Sequence, residues 1–479
     1  MMDFSYIIHF GAISLSLLIG SILRSKIKVF QKFLIPASII GGFFLLIYYN
    51  YIAPHFGMNA DFLGEIVYHL LNISFIAMML RPNDDIKEKV TARRLGQNVI
   101  ATVAQYGLQV TFGLLITAVL IATVLPDLFP AIGLILPLGF ELGPGQAYSM
   151  TLPWEKMGFE GATSVGLTIA AIGFLVGSIG GVILINLGIK NGWVSEEAAK
   201  KMRSKGTQTG FLSREDRKVG AMNTTDGESI DSFTYHVILI FLTYLISWAF
   251  LKGISALLHL IGPTGDSLAE SLWGINFVFS SLIASVVKFL MGKFKIDHTV
   301  DSKTMNRING FAVDLTVVSS LGAISLVAIS SYWLPIIVLS VVGILITSII
   351  LPYYCSRLFD DNQFYRMLVL YGSATGTLPT GLSLLRVVDP EFETPAARDF
   401  TYASGIVFFM VIPIILCVNL PALSYTSKNP LYFWLMFLIG VVYTLICLIA
   451  YIKLAKGRAF SKNDRLFFRE NKVKRAKHS

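Results

Sequence analysis

The chain has 479 residues, of which 54% are hydrophobic and only 14% charged. Soluble domains carry about 25% charged residues, and a helix that crosses a bilayer needs about 20 mainly apolar ones. Such runs recur along nearly the whole length, which excludes a water-soluble globule and points to an all-α polytopic membrane protein.

The apolar runs predict spans over 4–23, 33–52, 63–80, 97–122 and 161–189, then 233–259, 271–292, 309–332, 334–355, 399–421 and 430–452. The first follows an N-terminus with no basic region and no small-residue cleavage site, so it reads as a span rather than a cleaved leader. Two further apolar segments, 131–152 and 365–387, are interrupted by glycine and proline. Between the fifth and sixth spans, residues 191–232 form a mixed-charge hydrophilic linker, with a short helix expected at 195–203. The tail 453–479 is basic and carries Phe460, Leu466, Phe467 and Phe468, which suits the anionic inner leaflet. Cys355, Cys417 and Cys447 sit in or beside apolar runs without CxxC spacing and read as reduced, packed thiols.

The net charge of +9 has a topological explanation. With the N-terminus outside and both interrupted segments entering and leaving on one face, 36 of the 39 Lys and Arg residues fall on the inner side, leaving only Lys156, Lys252 and Lys428 outside. Cytoplasmic loops retain Lys and Arg in this way. If either interrupted segment crossed fully, every later loop would change sides and the bias would collapse. The count therefore favours eleven spans and two re-entrant hairpins, and it leaves no need for a nucleic-acid partner. The C-terminus is then cytoplasmic.

The linker separates two comparable halves, 1–190 and 233–421, each with four spans, an interrupted segment and one more span; 422–452 is an additional helix. The halves start on opposite faces, as two inverted-topology repeats do, and paired interrupted segments in such repeats mark the binding site of secondary transporters. The first interruption, GFELGPGQAYS, contributes Glu141, Gly143, Gly145, Gln146 and Ser149. The second, YGSATGTLPTG, contributes Gly372, Ser373, Thr375, Gly376, Thr377, Pro379 and Thr380. Non-helical backbone at membrane depth persists only where protein or a water-filled cavity satisfies it. Amides freed at the start of a half-helix can hold a carboxylate, and freed carbonyls can ligate sodium. The candidate cation ligands are Glu141, Asp314 and Thr375, with Na⁺ at the hairpin tips and no transition-metal site. Asp314 can instead pair with a basic neighbour such as Lys288. Asn72 and Asn276 read as links between helices, Arg386 and Asp389 as an anchor near the inner surface, and His9 and His236 as interfacial.

KFLIPASIIGG (32–42), LGPGQAYS, GFEGATSVGLTIAAIGFLVGSIGG (158–181) and TGTLPTG (375–381) resemble the glutamate:sodium symporter family over roughly residues 5–421. That resemblance implies an inverted-repeat homodimer working as an elevator-type transporter, sodium-coupled uptake of an acidic amino acid, and a bacterial cytoplasmic (inner) membrane setting. The family's Gly-Gly-His-Gly pattern is here Phe140-Glu141-Leu142-Gly143, with Leu142 where the histidine would fall. Beside an anionic substrate Glu141 must be protonated, ligate a cation or point away, so a related carboxylate or another small solute also fits. The alternatives are a channel and a proton-coupled carrier of another small solute. No HExxH, G-x-S-x-G, Walker loop or pair of catalytic carboxylates on one span occurs, so no enzyme and no bound cofactor are expected.

Overall fold

The computed structural model describes residues 4–82, 91–194, 205–212, 214–215, 219–260, 262–389, 394–460 and 468. The helix expected at 195–203 and most of the basic tail lie outside these residues. The described chain is helical, with no strand among its residues. In chain order, α1 is Ser5–Lys26, α2 Ala37–Phe56, α3 Asp61–Leu80 and α4 Ala92–Thr123. The first hairpin is α5 (Pro130–Leu142) and α6 (Pro144–Lys156), followed by α7 (Ala162–Lys190). Beyond the linker come α8 (Ser232–His259), α9 (Pro263–Gly274), α10 (Asn276–Lys293), α11 (Ser302–Gly322), α12 (Leu326–Ser331) and α13 (Trp333–Leu358). The second hairpin is α14 (Gln363–Ser373) and α15 (Leu378–Val388), and α16 (Ala396–Leu416), α17 (Leu420–Thr426) and α18 (Leu431–Leu454) complete the chain.

Among the described residues ten helices are long and apolar enough to cross a membrane, against eleven expected. The difference lies at 309–332. There α11 stops at Gly322, and α12 begins only at Leu326. The break is satisfied by side chains from elsewhere. Asn50 of α2 donates to Ile324 O at 2.9 Å and accepts from Leu326 N at 3.1 Å, while Ser164 of α7 accepts from Ser325 N at 3.0 Å. The first half of α11 is also polar (Lys303, Asn306, Arg307, Asn309), as suits a helix that faces cavities rather than lipid.

Burial divides the helices into two groups. One large core joins α4, both hairpins, α7, α13, α16 and α18, and takes in Leu71 of α3 and Phe277 and Val278 of α10. Smaller clusters hold α1, α2, α3, α8, α10 and α11 to one another, and the last of them also takes in Leu167 and Phe174 of α7. Within the second group α3 packs on α11, α2 on α11, α10 on α3, α1 on α2 and α8 on α10. Between the halves, α4 packs on α16 and α7 on α13. Large apolar side chains on the outer faces, such as Phe241, Leu245 and Trp248 of α8, are exposed and match a lipid environment.

Tertiary contacts relocate both histidines expected at the interface. His9 is 8% exposed and hydrogen-bonds the Tyr49 hydroxyl. His236 is fully buried; its Nδ1 meets Ser232 O at 2.6 Å, and its Nε2 accepts from Asp301 N at 2.7 Å. Asn72 accepts from Ser280 at 2.9 Å and Asn276 from Ser247 at 3.4 Å, so both asparagines link helices of the second group.

Candidate functional site: two hairpin tips at one buried cavity

The first tip is shaped by proline and glycine. Pro137 lacks an N–H, and the helix widens into a π-turn over Leu138–Leu142 that carries Glu141. Gly143 then turns the chain at φ +88°, and Pro144 opens α6. An added Cβ on Gly143 would meet Gly376 O and Thr377 Cγ2, each at 3.0 Å, so the two tips touch here. The second tip turns after Ser373, and Thr377 precedes α15 in an extended conformation. The Thr377 hydroxyl bonds that of Thr380 at 3.2 Å rather than an amide of its helix. Neither α6 nor α15 has a side-chain cap, so the first-turn amides of both half-helices remain open to a ligand. A helix N-terminus stabilises an anion by about 0.3–1 kcal/mol when exposed and by up to about 2 kcal/mol in a partly buried site.

Both tips border a cavity of about 160 Å³ between the two helix groups. At roughly 10–15 Å³ per water by the same measure, it holds on the order of ten waters. Glu141, Gly145 and Gln146 enter it from the first hairpin, and Ser373, Thr377 and Leu378 from the second. Thr102 and Tyr106 of α4 face it from one group; Ser74 of α3 and Asn309 and Thr316 of α11 face it from the other. Ser74 donates to Asn309 at 2.6 Å. Much of the remaining lining is aromatic and aliphatic, including Phe75, Phe277 and Phe408, as in many small-molecule sites. Glu141 is only 5% exposed, and its Oε1 has no hydrogen-bond partner among the described residues.

A wider cavity of about 640 Å³ lies on the other side of the second tip. Arg24, Ser38, Asp314, Thr380 and Ser383 line it, together with Thr209–Phe211 of the linker. Asp314 is exposed to this space, which it shares with Arg24, whereas Lys288 donates to Arg81 O at 2.7 Å. Val313, Val317 and Thr377 border both cavities and form the partition between them.

The remaining expected site residues face elsewhere. Ser149 donates to Gly274 O at 2.5 Å and borders a separate cavity beside α9. Thr375 is fully buried, donates to Tyr371 O at 2.7 Å and packs on Gly177 of α7. Gly372 lets the hairpin arms close, since its Cβ would lie 2.8 Å from Gly381 Cα. Pro379 lies in the first turn of α15, with its side chain outside the described residues. Arg386 is exposed, while Asp389 is buried and accepts from Thr394 N at 3.0 Å.

Two features went unread in the sequence. Arg366 of α14 and Asp399 of α16 form a fully buried ion pair at 2.8 Å, and Arg366 also meets Asp361 at 3.2 Å. In addition, Gln105 and Gln109 of α4 are 1% and 0% exposed, and none of their amide atoms has a partner among the described residues. Each unsatisfied buried amide costs about 1–3 kcal/mol. Two carboxamides four residues apart in the middle of an apolar span were the available signal. Among the described residues no cluster of three His, Cys, Asp or Glu could hold a metal ion.

No curated protein and no solved structure matches the chain. A family model described as sodium/glutamate symporter matches residues 2–360, which include the first hairpin and end just before the second. That family is one of transporters rather than enzymes. With about three quarters of its length matched, the chain belongs to the sodium/glutamate symporter family.

Proposed function

We propose that the protein is a sodium-coupled symporter of a small acidic amino acid or related carboxylate, with the substrate held between the two hairpin tips. One observation carries this reading: two uncapped half-helix N-termini meet at a single cavity that Glu141 also lines, its Oε1 lacking a partner among the described residues. The amides suit the substrate's negative charge, and Glu141 suits the coupling cation. The same proposal makes the chain two inverted repeats, 1–190 and 233–421. In its support, the packing pattern survives exchange of the halves: α1–α2 corresponds to α8–α10, α2–α11 to α10–α3 and α4–α16 to α13–α7.

Elevator motion is supported by the concentration of packing within each of the two helix groups, with the cavities at their junction and fewer contacts, such as Leu71 and Phe277 against the hairpin group, across it. The group bearing the hairpins would move and carry the site past the other. A homodimer in a bacterial inner membrane, N-terminus outside and C-terminus cytoplasmic, completes the reading and rests on the family and on the charge bias.

The test is reconstitution into liposomes with an imposed sodium gradient and a panel of labelled amino acids and dicarboxylates. Saturable accumulation of an acidic member that collapses with the sodium gradient is the expected result. Accumulation driven equally by a proton gradient alone would replace sodium with protons. Conduction without saturation or counterflow would replace the carrier with a channel. Glu141→Gln inserts normally and alters the cation dependence of uptake; wild-type ion dependence in that variant would remove Glu141 from the site.

A further inference from the structure

We infer that Gln105 and Gln109 of α4, together with Glu141 at the first tip, bind the coupling cation; this rests on the symporter reading and assigns its ion site. The two glutamines stand one helical turn apart and share a face. Gly107 and Thr111 mark the opposite face, which packs on α18: the Thr111 hydroxyl lies 3.2 Å from that of Thr444, and a Cβ on Gly107 would meet Thr444 Oγ1 at 2.9 Å. The carboxamides therefore point away from α18. Gly113, one turn beyond Gln109, lies against Gly133, whose O a Cβ on Gly113 would meet at 2.1 Å, and α4 packs on the Pro130–Pro137 stretch of α5, the arm that ends at Glu141, as well as on the π-turn Ile346–Ile350 of α13. The neighbouring positions Thr102 and Tyr106 border the tip cavity beside Glu141.

All four amide atoms of the pair lack partners among the described residues, and so does Glu141 Oε1. Buried polar groups at membrane depth are paired with something, so a set that the protein itself leaves open indicates a ligand. Its acceptors are two carboxamide oxygens and one carboxylate oxygen, hard donors without sulfur or imidazole, as alkali and alkaline-earth cations require. One negative charge balances a monovalent ion and leaves a divalent ion uncompensated at a depth where uncompensated charge is costly. The two amide N–H₂ groups remain as donors toward the neighbouring anion or water, which would link cation and substrate occupancy.

The experiment titrates the detergent-solubilised full chain with NaCl alone, choline chloride holding ionic strength constant, and follows the thermal midpoint. The wild-type midpoint rises and saturates with sodium. In Gln105→Leu and in Gln109→Leu the half-saturating sodium concentration rises at least tenfold, while the sodium-free midpoint is unchanged or higher because an unpaired amide has gone. A merely structural glutamine would lower the sodium-free midpoint and leave the sodium response in place. If a leucine variant fails to fold, Gln109→Asn, which keeps the amide but shortens its reach, must show the same rise. Wild-type half-saturation in the folded variants, or no sodium response in the wild type, overturns the assignment. Because no substrate is present, this result is separable from uptake: sodium-driven uptake with an unaltered sodium response in the variants would leave the symporter standing without this site.

Discussion

The first hairpin carries a charge at its tip, Glu141, as well as Glu155 and Lys156 at its base, whereas the charges of the second, Arg366 and Arg386, both lie away from its tip. Glu141 reaches the tip cavity through Pro137 and a π-turn, and its Oε1 lacks a partner among the described residues. Arg366, near the start of α14, is ion-paired within the protein to Asp399 and Asp361, although its Nη1 has no partner among the described residues. A buried charge that the protein does not pair responds to a ligand, whereas one that it does pair fixes geometry. In the proposed function the first hairpin therefore supplies the ion-sensitive part of the site. The second, with neutral Ser373, Thr377 and Thr380 toward the two cavities, supplies a platform anchored to α16.

Breaking the anchor should have the largest effect. Arg366→Met leaves Asp399 buried with Arg398 at 3.3 Å as its remaining ion-pair partner among the described residues, and should cost about 3–5 kcal/mol of stability. The double variant Arg366→Met/Asp399→Leu should recover most of that loss in denaturant unfolding of the solubilised protein. A double variant no more stable than the single one would show that the pair is not a self-contained unit. Next in size is Gly143→Ala. Of the two tips only the first has a glycine at positive φ, and its Cβ position is already crowded by Gly376 O. Alanine there should cost about 1–3 kcal/mol and separate the tips, lowering uptake more than expression. Unchanged uptake would mean that tip contact is dispensable.

The smallest effect lies outside the bilayer. Asp360, just beyond α13, accepts from Arg93 at 2.8 Å and is also met by Gln97 and Arg458. Chiefly the hydrogen bond from Arg93 holds its carboxyl down at about 2. Because the folded value is depressed, the stabilisation is present above the unfolded value of about 4 and is lost as pH falls toward 2. The Asp360 side chain is 47% exposed, so solvent screening limits the contribution to about 1 kcal/mol or less. Asp360→Asn should lower stability at pH 7 by that amount and converge with the wild type near pH 2. A constant difference across this range would assign its effect to packing rather than charge.

Much of this arrangement is legible from composition and spacing. The run 4–23 becomes Ser5–Lys26, 233–259 becomes Ser232–His259 and 430–452 becomes Leu431–Leu454, because in each an unbroken apolar stretch of bilayer length decides the helix. The interrupted segments 131–152 and 365–387 form hairpins at Pro130–Lys156 and Gln363–Val388, marked by their glycines and prolines. Tertiary partners are another matter. Arg366 and Asp399 look like ordinary inner-face charges until folding places them together. The end of α11 at Gly322 depends on Asn50, more than 270 residues away. Ser149 and Thr375 carry the right chemistry for a site, but their helices turn them toward Gly274 and Tyr371.

In the proposed mechanism both tips bind one substrate, and kinetics of sodium-driven uptake in proteoliposomes test this most directly. Gln146→Leu on the first tip and Ser373→Ala on the second remove polar groups that border the same cavity. Each substitution is predicted to raise the half-saturating concentration of the same acidic substrate at least tenfold while the protein remains inserted and monodisperse. Wild-type half-saturation in either variant would contradict a site shared between the two hairpins.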